Sequence, residues 1–367
     1  MSKAAELAKM GEVLTNSQIG GRRNIIINGA MQVAQRGTSA TALGGTNNDY
    51  QTVDRFKIIA VSTAGRVTMS QADSGLNGFK KCLKLQVTTA DTSIASGELF
   101  GISQAIEGQD LQHLKKGTSD AEKITLSYYV RGNAAANYTV EISDADNTRH
   151  ITQSFSVTTD WTRVVHTFAA DTTGALDNDN ATSLQLAWWL HAGSDFNGGT
   201  FTENTWASRT NANRVDSNDT SFFDSTDRTF EITGVQLEVG SQATPFEHRS
   251  FGEELILCQR YYNLISSGSG APPICNMAAY STSQIFGVLN FMTEMRAAPT
   301  IDIVSGTNYY TFLRAGTNDP FNEFSLVRSE TNVVELHHNS GLSHTTGHAG
   351  WIRGNNNAHY FALTSEL

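Results

Sequence analysis

Trp189 lies in TSLQLAWWL, where Leu184, Leu186 and Trp188 share one strand parity and Trp189 shares the other with Gln185, Ala187 and His191. Tyr129 stands likewise opposite Tyr128, beside Ser127 and Arg131. An outward ring stacks on the apolar face of a pyranose while polar neighbours bind its hydroxyls. Tyr129, Arg131, Trp189 and His191 therefore form a candidate carbohydrate-binding set. The plainer alternative is that both rings pack under the long loop 191–228 or against a second subunit, since a sandwich covers part of its second face. Trp161 reads as structural.

Five of the ten histidines crowd into one stretch: His337, His338, His344, His348 and His359. Copies of one or two of them around a symmetry axis could complete an octahedral metal site. No carboxylate or cysteine accompanies them at ligand spacing, so a polar loop tip is the default. His344, His348 and Trp351 are the candidate receptor-contacting residues of that tip. Asp216, Asp219, Asp224 and Asp227 lack the fixed spacing of a calcium loop and read as a solvated acidic loop. There is no nucleophile elbow, P-loop, HExxH or β-helix repeat, so no catalytic residue and no cofactor are assigned.

The elements that must position these residues follow from composition and period. The 367 residues suffice for two folded units. Charged residues make up 17%, and the formal charge of −10 opposes the counterion release that nucleic-acid binding relies on. Mean hydropathy is −0.30, no apolar run of about 18 residues occurs, and MSKAAELAKM lacks the apolar stretch of a signal peptide. A soluble protein made in the cytosol, without membrane insertion, is expected. Cys82, Cys258 and Cys275 are odd in number and unrelated in spacing, which predicts free thiols.

Residues 2–15 carry a helical stripe of Ala4, Leu7, Ala8, Gly11 and Leu14. From residue 24 the period is two: Ile25, Ile27 and Met31 alternate with Asn24, Asn28 and Gln32, and further strands follow at Leu83–Val87, Ile124–Val130, Tyr138–Ile142 and Leu184–Leu190. Between Thr229 and Val239 the apolar parity switches at Gly234, which predicts a β-bulge there. Ser250 and Glu253 form a capping box for a connecting helix whose stripe is Leu255, Cys258 and Tyr262. The stretch 265–273 reads as a linker, and strands return to the C-terminus. The predicted fold is mainly β: a helical segment at 1–22, an antiparallel jelly-roll sandwich at 23–249, a connecting helix at 250–264 and a smaller C-terminal β domain at 265–367.

NIIINGAMQVAQRGTS (24–39) and TFEITGVQLEVGSQATPFEHRSFGEELILCQRYY (229–262), with DYQTVDRFKI (49–58) between them, resemble the tail-fibre and appendage proteins of tailed bacteriophages, especially those of marine bacteria. The resemblance covers about residues 1–262. It implies a jelly roll similar to carbohydrate-binding modules, a homotrimer, and a virion protein, made in the host cytoplasm, that touches a host surface glycan or receptor. The expected role is a non-enzymatic trimeric tail fibre for host adsorption, docked to another virion structural protein through residues 1–22, with the C-terminal domain as tip. A head fibre or capsid-decorating protein is the alternative of the same class, and a surface-polysaccharide hydrolase that of another. Similar jelly rolls often hold calcium through an acid just after the first Asn-Gly and one on the last strand. Here Ala30 and Met31 follow Asn28-Gly29, only Glu238 remains, and no metal is expected.

Overall fold

In a computed structural model of the chain, Lys3 and residues 23–367 are described. They fall into two units, Met1–Glu254 and Leu255–Leu367. The helix expected at 2–15 and the docking segment 1–22 lie, but for Lys3, outside the described residues.

The strands of the first unit are β1 (Ser39–Asn47), β2 (Lys57–Asp73), β3 (Lys81–Thr89), β4 (Leu99–Glu107), β5 (Ile124–Gly132), β6 (Ala136–Asp144), β7 (Arg149–Val157), β8 (Thr162–Phe168), β9 (Thr182–Ala192), β10 (Ala207–Ser208) and β11 (Thr229–Val239). The long β2 belongs to two ladders: Lys57–Val61 pairs with β4 and Arg66–Asp73 with β3. Between them Ser62 takes a φ of 53°, and the strand passes from one sheet to the other. One antiparallel sheet is therefore β10-β7-β6-β9-β4-β2 and the second β2-β3-β11-β5-β8, with β1 running along both halves of β2.

Side chains on the inner faces meet across the sandwich. Trp188 of β9 packs edge-on against Tyr128 of β5 at 5.6 Å, and Tyr138 of β6 against Phe230 of β11 at 5.9 Å. Leu184, Leu186, Leu83, Leu85, Val87, Leu126, Val130, Val140 and Ile142 complete the same core, as their parity predicts. This is the antiparallel jelly-roll sandwich expected. The bulge is present as well: the β11 register slips between Thr233 and Gln236, and Gly234 takes the left-handed φ of 63° that a glycine adopts without strain.

Residues 24–33 are not a strand, although their alternation mimics one. Asn28 and Met31 have φ of 60° and 57°, and both asparagines point inward as hydrogen-bond hubs. The Asn28 amide donates to the carbonyls of Val33 and Asp54, and that of Asn24 donates to Val235 and accepts from Leu237 N–H. Side-chain amides here replace the ladder, so Asn24 and Asn28 are buried while Ile25 and Ile27 are only half-buried.

Within residues 23–367 the short α-helices are α1 (Ser194–Asn197) and α2 (Phe251–Gln259). The capping box of α2 forms: Ser250 N–H donates to Glu253 Oε2 at 2.8 Å, and Glu253 N–H to Ser250 Oγ at 3.3 Å. The helix ends at Gln259, and Tyr262, expected on its stripe, opens a strand.

The second unit contains β12 (Tyr262–Ser267), β13 (Pro273–Ala279), β14 (Ile285–Asn290), β15 (Thr300–Val304), β16 (Tyr310–Arg314), β17 (Thr317–Phe321), β18 (Ser325–Ser329), β19 (Val333–His338), β20 (Ala349–Gly354) and β21 (Tyr360–Thr364). They form an antiparallel three-stranded sheet, β12-β21-β15, and a seven-stranded one, β17-β16-β20-β13-β14-β19-β18. Phe312, Phe324, Leu336, Ile352, Phe361 and Leu363 make its core. Cys82, Cys258 and Cys275 form no disulfide, as expected.

Candidate functional site

The four candidate sugar-binding residues of the first unit do not form one site. Tyr128 and Trp188 touch in the core, so Tyr129 and Trp189 point away from it on opposite outer faces. Trp189 is also only 1% exposed, which corrects its expected outward, open position. Its ring lies above Gly101, where an added Cβ would come within 2.9 Å of the indole, and it packs with Leu99, Ala187 and Val215. Its Nε1 donates to Glu141 Oε2 at 2.7 Å, and the Arg214 guanidinium sits 4.8 Å from the ring centre. The covering residues come from the loop after β9, the alternative the sequence left open.

His191, at 2% exposure, does not share the face of Trp189. The β9 register slips at Leu190, so that His191 pairs with Phe100 and Trp189 with Gly101. The extra residue turns the imidazole against Phe223, 5.2 Å away. On the second sheet, Tyr129 is half-buried against Phe79, and Arg131 donates from Nε to Glu231 Oε2 at 2.9 Å while covering Trp161. Trp161 is structural, its Nε1 bonded to the Ser74 carbonyl.

The acidic loop is not merely solvated. Asp224 pairs with Arg228 and Asp216 caps Asn218, whereas Asp219 is largely buried and accepts from the Thr139 hydroxyl. Burial pushes the Asp219 carboxyl up to about 7, the Thr139 bond opposing this and Asp216 adding to it. Its Oδ1 has no hydrogen-bond partner among the described residues. A folded pKa above the unfolded value gives anchoring that is complete below about pH 4 and lost as pH rises through about 7. Amide exchange in loop 193–228 should therefore quicken between pH 4 and 7, beyond its intrinsic pH dependence, by up to about tenfold per unit. Asp219→Asn should abolish that extra dependence; an unchanged profile in the variant would contradict it. Glu238, the one calcium ligand left by the sequence, instead accepts from the N–H and hydroxyl of Thr244.

The open aromatic surface lies in the second unit. On β20, Ile352 points into the core, so Trp351 and Arg353 point out, and Trp351 is 54% exposed. Trp351 stands opposite Asn276 of β13 and Leu313 of β16, with the Arg353 guanidinium 5.7 Å from its ring centre. A groove of about 490 Å³ opens beside it, lined by Asn276, Arg314, Ala315, Gly316, Ala349 and Gly350. Its rim is the two-residue hairpin Ala315-Gly316, with φ of 45° and 79°, the paired left-handed values of a type I′ turn. The same face continues over Ala349 and Ala278 to Phe286, and Phe286 stacks on His337 at 5.4 Å and meets Tyr280, 71% exposed, at 5.3 Å.

Of the candidate tip residues, Trp351 is on this face. His344 is not: it is buried edge-on against the core residue Phe312, and burial, followed by the charge of Arg314, lowers its pKa. His348 is half-buried, with its carbonyl accepting from Ala279 N–H.

No family model and no curated protein matches the chain. Solved structures similar to it include one described as "CBM4 structure and function", at 12% identity over 58% of this chain and 97% of that one, with a TM-score of 0.29. Another is the family 11 carbohydrate-binding module of the cellulosomal cellulase Lic26A-Cel5E of Clostridium thermocellum, at 9% identity over 54% of this chain and 94% of that one, TM-score 0.28. The enzymatically active domain of tailspike protein 4 of bacteriophage CBA120 is similar at 12% identity over 59% of this chain and 21% of that one, TM-score 0.30. Scores at this level carry no argument about ligand or activity.

Sequence reasoning missed Asn276, Tyr280 and Phe286. The strand that carries Asn276 begins at Pro273, directly after Pro272, and reads as the end of a linker; Phe286 gains its meaning only from its neighbours Ala278 and His337 across the sheet.

Proposed function

We propose that this chain is a non-enzymatic appendage protein of a bacteriophage particle that binds host surface glycans through the outer face of its seven-stranded C-terminal sheet. The observation that carries the reading is Trp351: a large ring more than half exposed, beside an open groove that also offers the exposed Asn276 amide, with Arg314, ion-paired to Asp319, in its wall. A flat apolar ring with polar groups at its edge is the chemistry a pyranose needs. The resemblance of residues 24–39 and 229–262 to phage tail-fibre and appendage proteins supports the virion setting. In this reading residues 1–22 dock the chain to another virion protein, the jelly roll is a platform, and the protein is a homotrimer. Three weak sugar sites per fibre then act together through avidity.

The test is competition. Purified chain, of about three times 39.8 kDa by light scattering, should block adsorption of the phage to host cells, and its Trp351→Ala variant should not. Equal blocking by the two would remove the groove from the reading. Release of new reducing ends from host polysaccharide would remove its non-enzymatic part.

A further inference from the structure

At one end of the jelly roll, Asp91 on the β3–β4 connection, Glu98 just before β4 and His191 near the end of β9 converge. Each brings one ligand atom, and these atoms lie within 4.8 Å of one another. All three residues are buried, Asp91 at 6% and Glu98 at 4% exposure. His191 Nε2 is 3.0 Å from Glu98 Oε2, and its Nδ1 is 2.8 Å from Ser221 Oγ. Asp91 is held in place by Ala64 N–H on Oδ2 and Ser93 N–H on Oδ1.

Charge separates this cluster from several other buried acids of the unit. Glu141 has Arg214, Asp144 has Lys116, Asp171 has Arg149, and Glu231 has Arg131. Among the described residues no lysine or arginine pairs with Asp91 or Glu98; only the imidazole faces Glu98. Two carboxylates withdrawn from water with a single histidine between them are short of a positive charge.

We propose that Asp91, Glu98 and His191 bind a first-row divalent cation of the zinc type. An imidazole nitrogen with two carboxylate oxygens suits such an ion better than calcium, which prefers oxygen alone. Zinc bonds of about 2.0–2.2 Å place ligand atoms roughly 3.0–3.6 Å apart, so closure needs side-chain shifts of about 1 Å. Ser221 Oγ accepts the Phe223 N–H at 3.2 Å, which leaves its own hydrogen free for His191 Nδ1. In the metal-free site Nε2–H then donates to Glu98; on binding, the ion takes the Nε2 lone pair, the Nδ1–H tautomer forms, and Ser221 becomes the acceptor. The ion ties the β3–β4 connection to β9 and, through Ser221, to the loop whose Phe222 and Phe223 are buried in the sandwich core. It is a clamp on the covering loop, independent of the C-terminal groove.

The test uses the full chain, stripped with chelator and titrated with Zn²⁺, with Co²⁺ as a spectroscopic substitute. The expected result is one ion per chain, a rise in the thermal midpoint with Zn²⁺, and a visible Co²⁺ band. Glu98→Gln keeps an acceptor for His191 and should keep the fold, yet lose the band and weaken binding at least about 100-fold. Ser221→Ala should weaken it about 10-fold, as loss of an outer partner does. Absence of a stoichiometric ion in the wild-type chain, or binding by the Glu98→Gln and Ser221→Ala variants as tight as wild type, overturns the proposal and leaves a buried His–Glu hydrogen bond. If Glu98→Gln fails to fold, the wild-type stoichiometry and Ser221→Ala decide.

Discussion

Replacing Trp189 by alanine is expected to destabilise the N-terminal unit by about 3–5 kcal/mol, the range for deleting a buried tryptophan. The ring fills the space between the outer face of β9 and the covering loop, against Leu99, Ala187 and Val215, and supplies a 2.7 Å hydrogen bond to Glu141. Trp188→Ala should cost a similar amount, because that ring fills the inner core. The two losses differ in kind. Trp188→Ala weakens both sheets together, whereas Trp189→Ala removes the floor of the loop, so residues 198–228 should become cleavable by protease before the sandwich unfolds. Urea unfolding with limited proteolysis checks this. A Trp189→Ala protein with a wild-type midpoint and an intact loop would mean that the ring anchors nothing.

Arg214→Ala should cost about as much, for an electrostatic reason. Glu141 is fully buried, and burial alone would push its carboxyl up; Arg214 first and His150 second pull it further the other way, to about 2. Arg214 contributes hydrogen bonds of 2.8–3.1 Å to both carboxylate oxygens. Removing Arg214 leaves the buried carboxylate with only His150 and the Trp189 N–H, and breaking one partner of a buried pair costs about 3–5 kcal/mol. The sign with pH is opposite in the two proteins. In the wild type the depressed folded pKa gives stability that is present above about 4.5 and lost as pH falls towards 2. In the variant burial dominates, the folded pKa rises, and acid neutralises the stranded charge. The stability gap should therefore be widest near pH 7 and close only as pH falls towards 2, where Glu141 of the wild type is protonated as well; a gap independent of pH would show that Arg214 acts through packing alone.

These two residues mark the limit of what was legible in the sequence. Parity is enough to place Leu184, Leu186 and Trp188 in the core, because a sheet with one buried face tolerates no slip. Parity also places Trp189 on the other face, but it carries no information on what covers that face. Arg214 and Val215 arrive from a loop without period, and only the folded chain brings them to β9. The bulge at Gly234 is visible because the parity changes at a glycine; the one at Leu190 has no such marker, and His191 changes sides unannounced. Residues 24–33 mislead for a third reason, since asparagine amides can imitate a strand's hydrogen bonds while the backbone turns. In the C-terminal unit Trp351 stands out beside Gly350, yet the aromatic row from Ala278 to Phe286 and His337 exists only once β13, β14 and β19 are paired.

The measurement that tests the central claim most directly is a titration of the full chain with host surface glycan, run in parallel on wild type, Trp351→Ala and Tyr129→Ala. Loss of stacking and buried area should weaken binding by about 1–3 kcal/mol in Trp351→Ala, with no change in thermal midpoint, because the ring is exposed. Tyr129→Ala should bind as wild type, since that ring is packed against Phe79 on the jelly roll. Wild-type affinity in Trp351→Ala together with lost affinity in Tyr129→Ala would contradict the account and return sugar recognition to the jelly roll.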